Sequence, residues 1–197
     1  PEITGRIEFR DVRFGYDGER EILKGISFVA EPGTSVAILG PTGSGKSSLV
    51  HLLSRLYDYT SGSITLDGVE LKEIDKKWIR SHVGFVLQEP FLYAKTVKEN
   101  IALAGRLDGD PGRRPGAPPP RHRPGHRPVP PKDGVHDAAV FAAARDAAVH
   151  EVIESFEKGY ETLVGERGVT LSGGQKQRLA IARALITGNP ILVFDDS

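Results

Sequence analysis

The 197-residue sequence has no cysteine, which excludes disulfides, thiol chemistry and cysteine metal sites. It has no methionine either, and Pro1-Glu2 runs straight into strand-like sequence, so the N-terminus is expected to be a cut edge. No apolar run approaches the roughly 20 residues of a membrane span, and the opening residues do not form a signal peptide. Net charge is also missing. The 26 basic and 26 acidic residues cancel, so charge argues neither for nor against nucleic acid or lipid. The length allows one sizeable domain with a real core, or two small ones at most.

The remaining pattern alternates strand-like and helix-like segments. "RIEFRDVRFGY" (6–16), with Ile7, Phe9 and Val12 at strand spacing, and "ILKGISFVAEPG" (22–33) read as antiparallel strands closed by a Pro32-Gly33 turn. "SVAILG" (35–40) is a short continuous apolar run, expected as a strand buried on both faces. "KSSLVHLLSRLY" (46–57) places Leu49, Leu52, Leu53 and Leu56 at helical spacing. "GSITLDG" (62–68) reads as a strand and turn, and "VGFVLQ" (83–88) as another buried strand. "HDAAVFAAARDAAVHEVIESF" (136–156) is Ala-rich and helical, with Asp137 a candidate cap. "KQRLAIARALITG" (176–188) is a helix stopped by Gly188 and Pro190, and "ILVF" (191–194) is a last strand. This alternation predicts an α/β fold with a mostly parallel core sheet.

One stretch departs from the pattern. Residues 105–134 hold nine of the 14 prolines and seven basic against three acidic residues. With almost nothing apolar to bury, this stretch is expected to be a disordered Pro/Arg-rich insertion. A tolerated surface loop and a basic tether for anionic lipid or an acidic partner are the two readings of it.

"GPTGSGKS" (40–47) fits G-x-x-x-x-G-K-[ST] without a mismatch, between an apolar run and an amphipathic helix. Gly40, Gly43 and Gly45 let successive backbone N–H groups turn inward on phosphate oxygens. The following helix start adds its positive dipole end. Lys46 is suited to the β- and γ-phosphates, and the Ser47 hydroxyl to Mg²⁺. The loop points to a nucleoside triphosphate. "LSGGQKQR" (171–178) precedes a second helix and forms another anion nest at its start. "ILVFDD" ends a buried strand in two carboxylates.

In order and spacing these three motifs resemble the nucleotide-binding domain of ABC transporters, over the whole chain except 105–134. The resemblance implies a P-loop NTPase of the ABC ATPase type, with an N-terminal antiparallel β subdomain and a helical subdomain carrying the signature. It makes Tyr16, Gly40, Pro41, Thr42, Gly43, Ser44, Gly45, Lys46, Ser47 and Ser48 the ATP-binding set, with the Tyr16 ring in the place of the aromatic that stacks on adenine. Leu171, Ser172, Gly173, Gly174 and Gln175 are the signature, which closes on ATP held by a second nucleotide-binding domain in a head-to-tail dimer. Gln88, in "VLQEP", is similar to the glutamine that reaches Mg²⁺ and the attacking water. Asp195 stands at the Walker B position, so Ser47, Gln88 and Asp195 form the expected magnesium set. "LVGERG" (163–168) and the opening "GRIEFRDVRFGY" are similar to the exporter type.

Asp196 stands where this family normally has the catalytic Glu. Asp is one methylene shorter, and a displacement of about 1 Å in a general base can cost on the order of 100-fold in rate. The departure resembles the degenerate-site chain of heterodimeric exporters, which implies a different, Glu-bearing partner chain. Gln88 and Asp196 are thus the expected catalytic residues, ATP and Mg²⁺ the cofactors, and a weakly hydrolytic site the outcome. The resemblance places a switch histidine after Walker B, and the six histidines all precede Asp195, so the expected domain spans 1–197 and is truncated after Walker B. The implied partners include transmembrane domains of the same or another chain, at the cytoplasmic face of a membrane, with no nucleic acid. Two alternatives remain: a regulatory ATP-binding module without useful turnover, and a soluble ABC ATPase.

Overall fold

Strand β1 (Ile7–Phe14) shows why the apolar spacing in the sequence breaks step between Phe9 and Val12. The register against its neighbours shifts across this point, and Asp11 takes a positive φ of 44°. This bulge inserts the extra residue that returns Val12 to the core face. Phe9, Val12 and Phe14 are all essentially buried as a result. β1 pairs antiparallel with β2 (Leu23–Ala30) on one side and β3 (Ser61–Leu66) on the other, and β4 (Val69–Glu70) extends the sheet beyond β3. The structure, a computed structural model, describes residues 3–17, 20–107, 137–165 and 170–195. The insertion from 108 to 134, residues 166–168, Asp196 and Ser197 lie outside the described residues.

The chain divides into two compact units. One comprises the described residues of 3–88 and 189–195. It contains the antiparallel sheet, α1 (Lys46–Leu53), α2 (Lys76–His82), and a parallel pair of β5 (Val83–Val86) and β8 (Ile191–Phe194). Asp75 starts α2 by accepting the N–H groups of Lys77 and Trp78. One cluster built on Phe9, Leu52, Ile64 and Ile79 forms the core, with Phe9 stacked on Phe28 at 4.5 Å between ring centroids. Each such buried side chain contributes about 1.5–3 kcal/mol.

The entry of the chain into this unit is pinned by Asp67, in the turn between β3 and β4. Its carboxylate accepts hydrogen bonds from the Thr4 hydroxyl and from the N–H groups of Thr4, Gly5 and Arg6. Burial works to raise the Asp67 pKa, but these four donors outweigh it, and the net shift is downward.

The other unit comprises the described residues of 89–188. It packs α3 (Val97–Leu107), α4 (Asp137–Asp146), α5 (His150–Glu154) and α6 (Gly173–Leu185) beside a short antiparallel pair, β6 (Lys95–Thr96) and β7 (Leu163–Val164). Its core is formed by Val97, Ile101, Val140, Ala144, Ile153, Leu179 and Ala182. Asn100 is buried and fastens the preceding loop, accepting from Tyr93 N–H while its amide donates to the Tyr93 and Thr96 carbonyls. The helix α3 runs to Leu107, so helical backbone overlaps the first three residues assigned to the insertion.

Three sequence expectations are corrected. Residues 35–40 form no strand: they are exposed throughout, with Leu39 at 92%. An apolar run signals a preference for burial, but a strand also needs ladder partners on its edges. Among the described residues the parallel sheet consists of β5 and β8, and neither pairs with 35–40. The helix expected over 136–156 is broken after α4, where Ala148 adopts a positive φ of 52°. Ala147 and Val149 are both buried. Two positions apart, they cannot share one face of a continuous helix, so the chain re-aims between them. Leu56 lies beyond the end of α1 and is exposed.

Candidate functional site

The phosphate loop is shaped by its glycines. Gly43 and Gly45 have φ of 81° and 94°, values open to glycine and costly for other residues. Gly45 also caps α1. A Cβ there would stand 2.8 Å from Leu23 Cδ2 and 2.9 Å from Ile22 Cγ2, so those side chains would have to shift, and the backbone conformation favours glycine. Pro41, Thr42 and Ser44 line the exposed rim. Lys46 bends back over the loop, its Nζ donating to the Gly40 carbonyl at 2.9 Å and the Pro41 carbonyl at 3.1 Å. The ammonium is thus held among loop carbonyls, beside the start of α1, where helix geometry aims the first N–H groups outward.

Across 148 positions of sequence, Ser47 Oγ donates to Asp195 Oδ1 at 3.2 Å. The contact follows from the topology. Asp195 N–H donates to the Val86 carbonyl at 2.9 Å, prolonging the β5–β8 ladder by one residue. Asp195 therefore leaves the C-terminal edge of the parallel strands, the side on which open α/β sheets bind ligands. Gln88 emerges from the same edge, two residues beyond β5, and is exposed. A hydroxyl and a carboxylate side by side are hard oxygen donors of the kind Mg²⁺ takes, so the residues present fit that ion. Among the described residues no three His, Asp or Glu side chains gather to make a different metal site.

Tyr16 stands two residues past β1 and is 46% exposed. Its hydroxyl lies 3.1 Å from Ser48 Oγ and 2.9 Å from His51 Nδ1, and its ring meets Phe14 and Tyr57 edge to face. The structure thus brings Tyr16, Ser47, Ser48 and Asp195 to one end of α1. Sequence reasoning missed His51 and Tyr57. The available signal was helical spacing, since His51 follows Ser48 by three positions and Ser47 by four, and so shares their face.

The signature is built in the other unit. Ser172 caps α6 in a reciprocal capping box, in which its Oγ accepts from Gln175 N–H and Gln175 Oε1 accepts from Ser172 N–H at 2.9 Å. Leu171 is buried and anchors the turn, whereas Gly173 and Gly174 are exposed, and a Cβ on Gly173 would meet nothing within 4 Å. The result is an open helix start with an uncovered backbone. Arg183, on the same helix, donates to the Phe91 carbonyl at 2.9 Å, and burial lowers its pKa from the ordinary arginine value. Asp196 lies outside the described residues.

A P-loop between a β-sheet unit and an amphipathic helix, a strand-end carboxylate on its serine and a capped Ser-Gly-Gly helix start define a P-loop NTPase of the ABC ATPase type. The chain belongs to the ABC transporter family, whose model matches residues 23–197. It is 40% identical over 195 residues to ABC transporter B family member 1 of Dictyostelium discoideum, covering 98% of this chain and 18% of that protein. It is 42% identical over 196 residues to the ATP-dependent lipid A-core flippase of Aromatoleum aromaticum, covering 99% of this chain and 28% of that one. Among solved structures, a bacterial Atm1-family ABC exporter with ATP bound matches with a TM-score of 0.78 at 41% identity, over 98% of this chain and 29% of the other. The chain therefore spans less than a third of the length of these relatives. Among the described residues no helix is long and apolar enough to cross a membrane.

Proposed function

We propose that this chain is the ATP-binding domain of an ABC exporter. It binds ATP with Mg²⁺, closes head to tail on a second nucleotide-binding domain, and couples hydrolysis to export through transmembrane domains at the cytoplasmic face of a membrane. The observation that carries the reading is the 3.2 Å contact between Ser47 Oγ and Asp195 Oδ1, which joins the phosphate loop to the strand-end carboxylate. Two names among the matches support it: an ATP-dependent flippase and an exporter with ATP bound.

The roles follow from position. The loop from Gly40 to Gly45 cradles phosphate oxygens with backbone N–H groups. Lys46 exchanges its two loop carbonyls for β- and γ-phosphate oxygens, a swap between acceptors that keeps the ammonium solvated throughout. Ser47, Asp195 and Gln88 would hold Mg²⁺, which would supply positive charge to offset that of the phosphates. Tyr16 offers its ring to adenine. The open start of α6, from Ser172 to Gln175, meets the γ-phosphate of ATP held by the partner domain.

Asp196 gives the reading its finer form. A carboxylate one methylene short orients the attacking water poorly, so this chain's own site turns over slowly while its signature completes the site of a Glu-bearing partner. A regulatory module without turnover is the second reading, and the same residue favours it. Hydrolysis by residues 1–197 alone is not expected, so the test is steady-state ATPase activity of the full-length protein as a homodimer, wild type and Asp196→Glu. The expected result is slow turnover in the wild type and a gain of about 10- to 100-fold in the variant. A wild type that hydrolyses ATP as fast as Asp196→Glu refutes the degenerate site. Hydrolysis by neither, with ATP still bound, favours the regulatory module.

A further inference from the structure

We propose that His51 is a positioning residue for adenine recognition: it fixes the Tyr16 side chain over the start of α1 through the Tyr16 hydroxyl. The inference deepens the nucleotide reading above and rests on it. A stacking aromatic loses affinity if its ring must be ordered when the base arrives, because immobilising the side chain then costs binding free energy. Tyr16 has left the β1 ladder and is 46% exposed, so strand pairing does not order it. Its order comes from its tip and its edges.

At the tip, the hydroxyl has two partners on consecutive turns of the phosphate-loop helix, Ser48 Oγ at 3.1 Å and His51 Nδ1 at 2.9 Å. A phenol both donates and accepts. With His51 protonated on Nε2, Tyr16 donates to Nδ1 and accepts from Ser48, so the three groups form one directed chain. At the edges, Phe14 and Tyr57 stand at 4.8 Å and 4.9 Å between centroids, nearly perpendicular to the Tyr16 ring. Tyr57 also leans on the His51 ring at 5.9 Å, so the imidazole is braced by the ring that braces Tyr16. Ser48 is buried and fixed in α1. His51 sits in the last turn of the same helix, so the Tyr16 ring is set relative to the helix whose start holds the phosphates. His51 thereby fixes the distance between the base platform and the phosphate loop without touching either end of the nucleotide.

The test separates base from phosphate. Calorimetric titrations use Mg–ATP and inorganic tripolyphosphate, which has no base, on the wild type, His51→Leu, His51→Asn, Tyr16→Phe and the His51→Leu/Tyr16→Phe double variant. Loss of one such hydrogen bond predicts about a 3- to 10-fold weakening of Mg–ATP binding in His51→Leu, with tripolyphosphate within about twofold of wild type. His51→Asn, whose amide reaches the Nδ1 position, restores Mg–ATP binding. Tyr16→Phe reproduces the loss, and adding His51→Leu to it changes nothing further. Equal losses for both ligands in His51→Leu would overturn the proposal, since His51 would then act through α1 and the phosphate loop. Unchanged Mg–ATP binding would overturn it too. A wild type that binds neither ligand defeats the nucleotide reading itself, and this inference with it.

Discussion

Replacing Asp67 with Asn should loosen the edge at which the chain enters the β-sheet unit. The wild-type carboxylate serves four donors: the Thr4 hydroxyl, Thr4 N–H at 2.8 Å, Gly5 N–H at 3.1 Å and Arg6 N–H at 2.8 Å. Asn offers one oxygen and turns an N–H₂ toward donors on the other side. It tolerates the positive φ of 50° at this turn, so backbone strain does not confuse the comparison. A hydrogen bond to a charged acceptor contributes about 1.5–3 kcal/mol. Thr4 is exposed and water replaces part of its loss, which leaves about 2 kcal/mol for the substitution. The single tryptophan, Trp78, lies in α2 of the same unit, so its fluorescence in a urea titration reports on this unit. The pH dependence has a defined sign. The folded-state pKa of Asp67 is lowered, so its stabilisation is full above the unfolded value of about 3.9 and is lost as pH falls through the lower folded value. The gap between wild type and Asn should therefore be constant from pH 7 to pH 5 and close under stronger acid. Equal urea midpoints at pH 7, or a gap that persists undiminished at about pH 2, would refute the reasoning.

Gly45→Ala places a Cβ against Leu23 and Ile22 at a φ of 94°; it should cost about 2 kcal/mol or more and abolish ATP binding, read by urea titration and calorimetry. Asn100→Leu leaves the Tyr93 N–H and the Tyr93 and Thr96 carbonyls without their side-chain partner, and should lose about 2–4 kcal/mol in thermal denaturation followed by circular dichroism. Ser172→Ala removes the α6 cap; it should cost about 1 kcal/mol in thermal denaturation and, on the proposed head-to-tail pairing, weaken ATP-induced dimerisation measured by light scattering.

Local signals carried most of the architecture. The alternation in "RIEFRDVRF", the G-x-x-x-x-G-K-S loop and the Gly188 stop each act over a few residues, and β1, α1 and the end of α6 follow them, although α6 starts at Gly173, three residues before the start read from "KQRLAIARALITG". What the sequence hid is nonlocal. The run 35–40 is apolar, as β5 and β8 are, yet pairing depends on which edges are available, and no window of sequence encodes that. The break at Ala148 arises because Val149 packs inward, a demand set by neighbouring helices. At the site, Ser47 and Asp195 were named from the motif positions they occupy, and the structure places them 3.2 Å apart. His51 belongs to no motif, and its role appears only once Tyr16 is seen folded onto α1. Asp67 was legible as a turn residue in "LDG" but not as the acceptor for a segment 61 to 63 positions away.

The account stands most directly on the pairing of Ser47 with Asp195 as the place where Mg²⁺ joins the nucleotide. Calorimetric titration of ATP into the wild type and Ser47→Ala, each with Mg²⁺ and with a chelator, measures it. The account predicts tighter binding with Mg²⁺ in the wild type, by about tenfold or more, and loss of that gain in Ser47→Ala with chelator-state binding preserved. ATP bound equally well with and without Mg²⁺ by the wild type, or a full Mg²⁺ gain in Ser47→Ala, would contradict it.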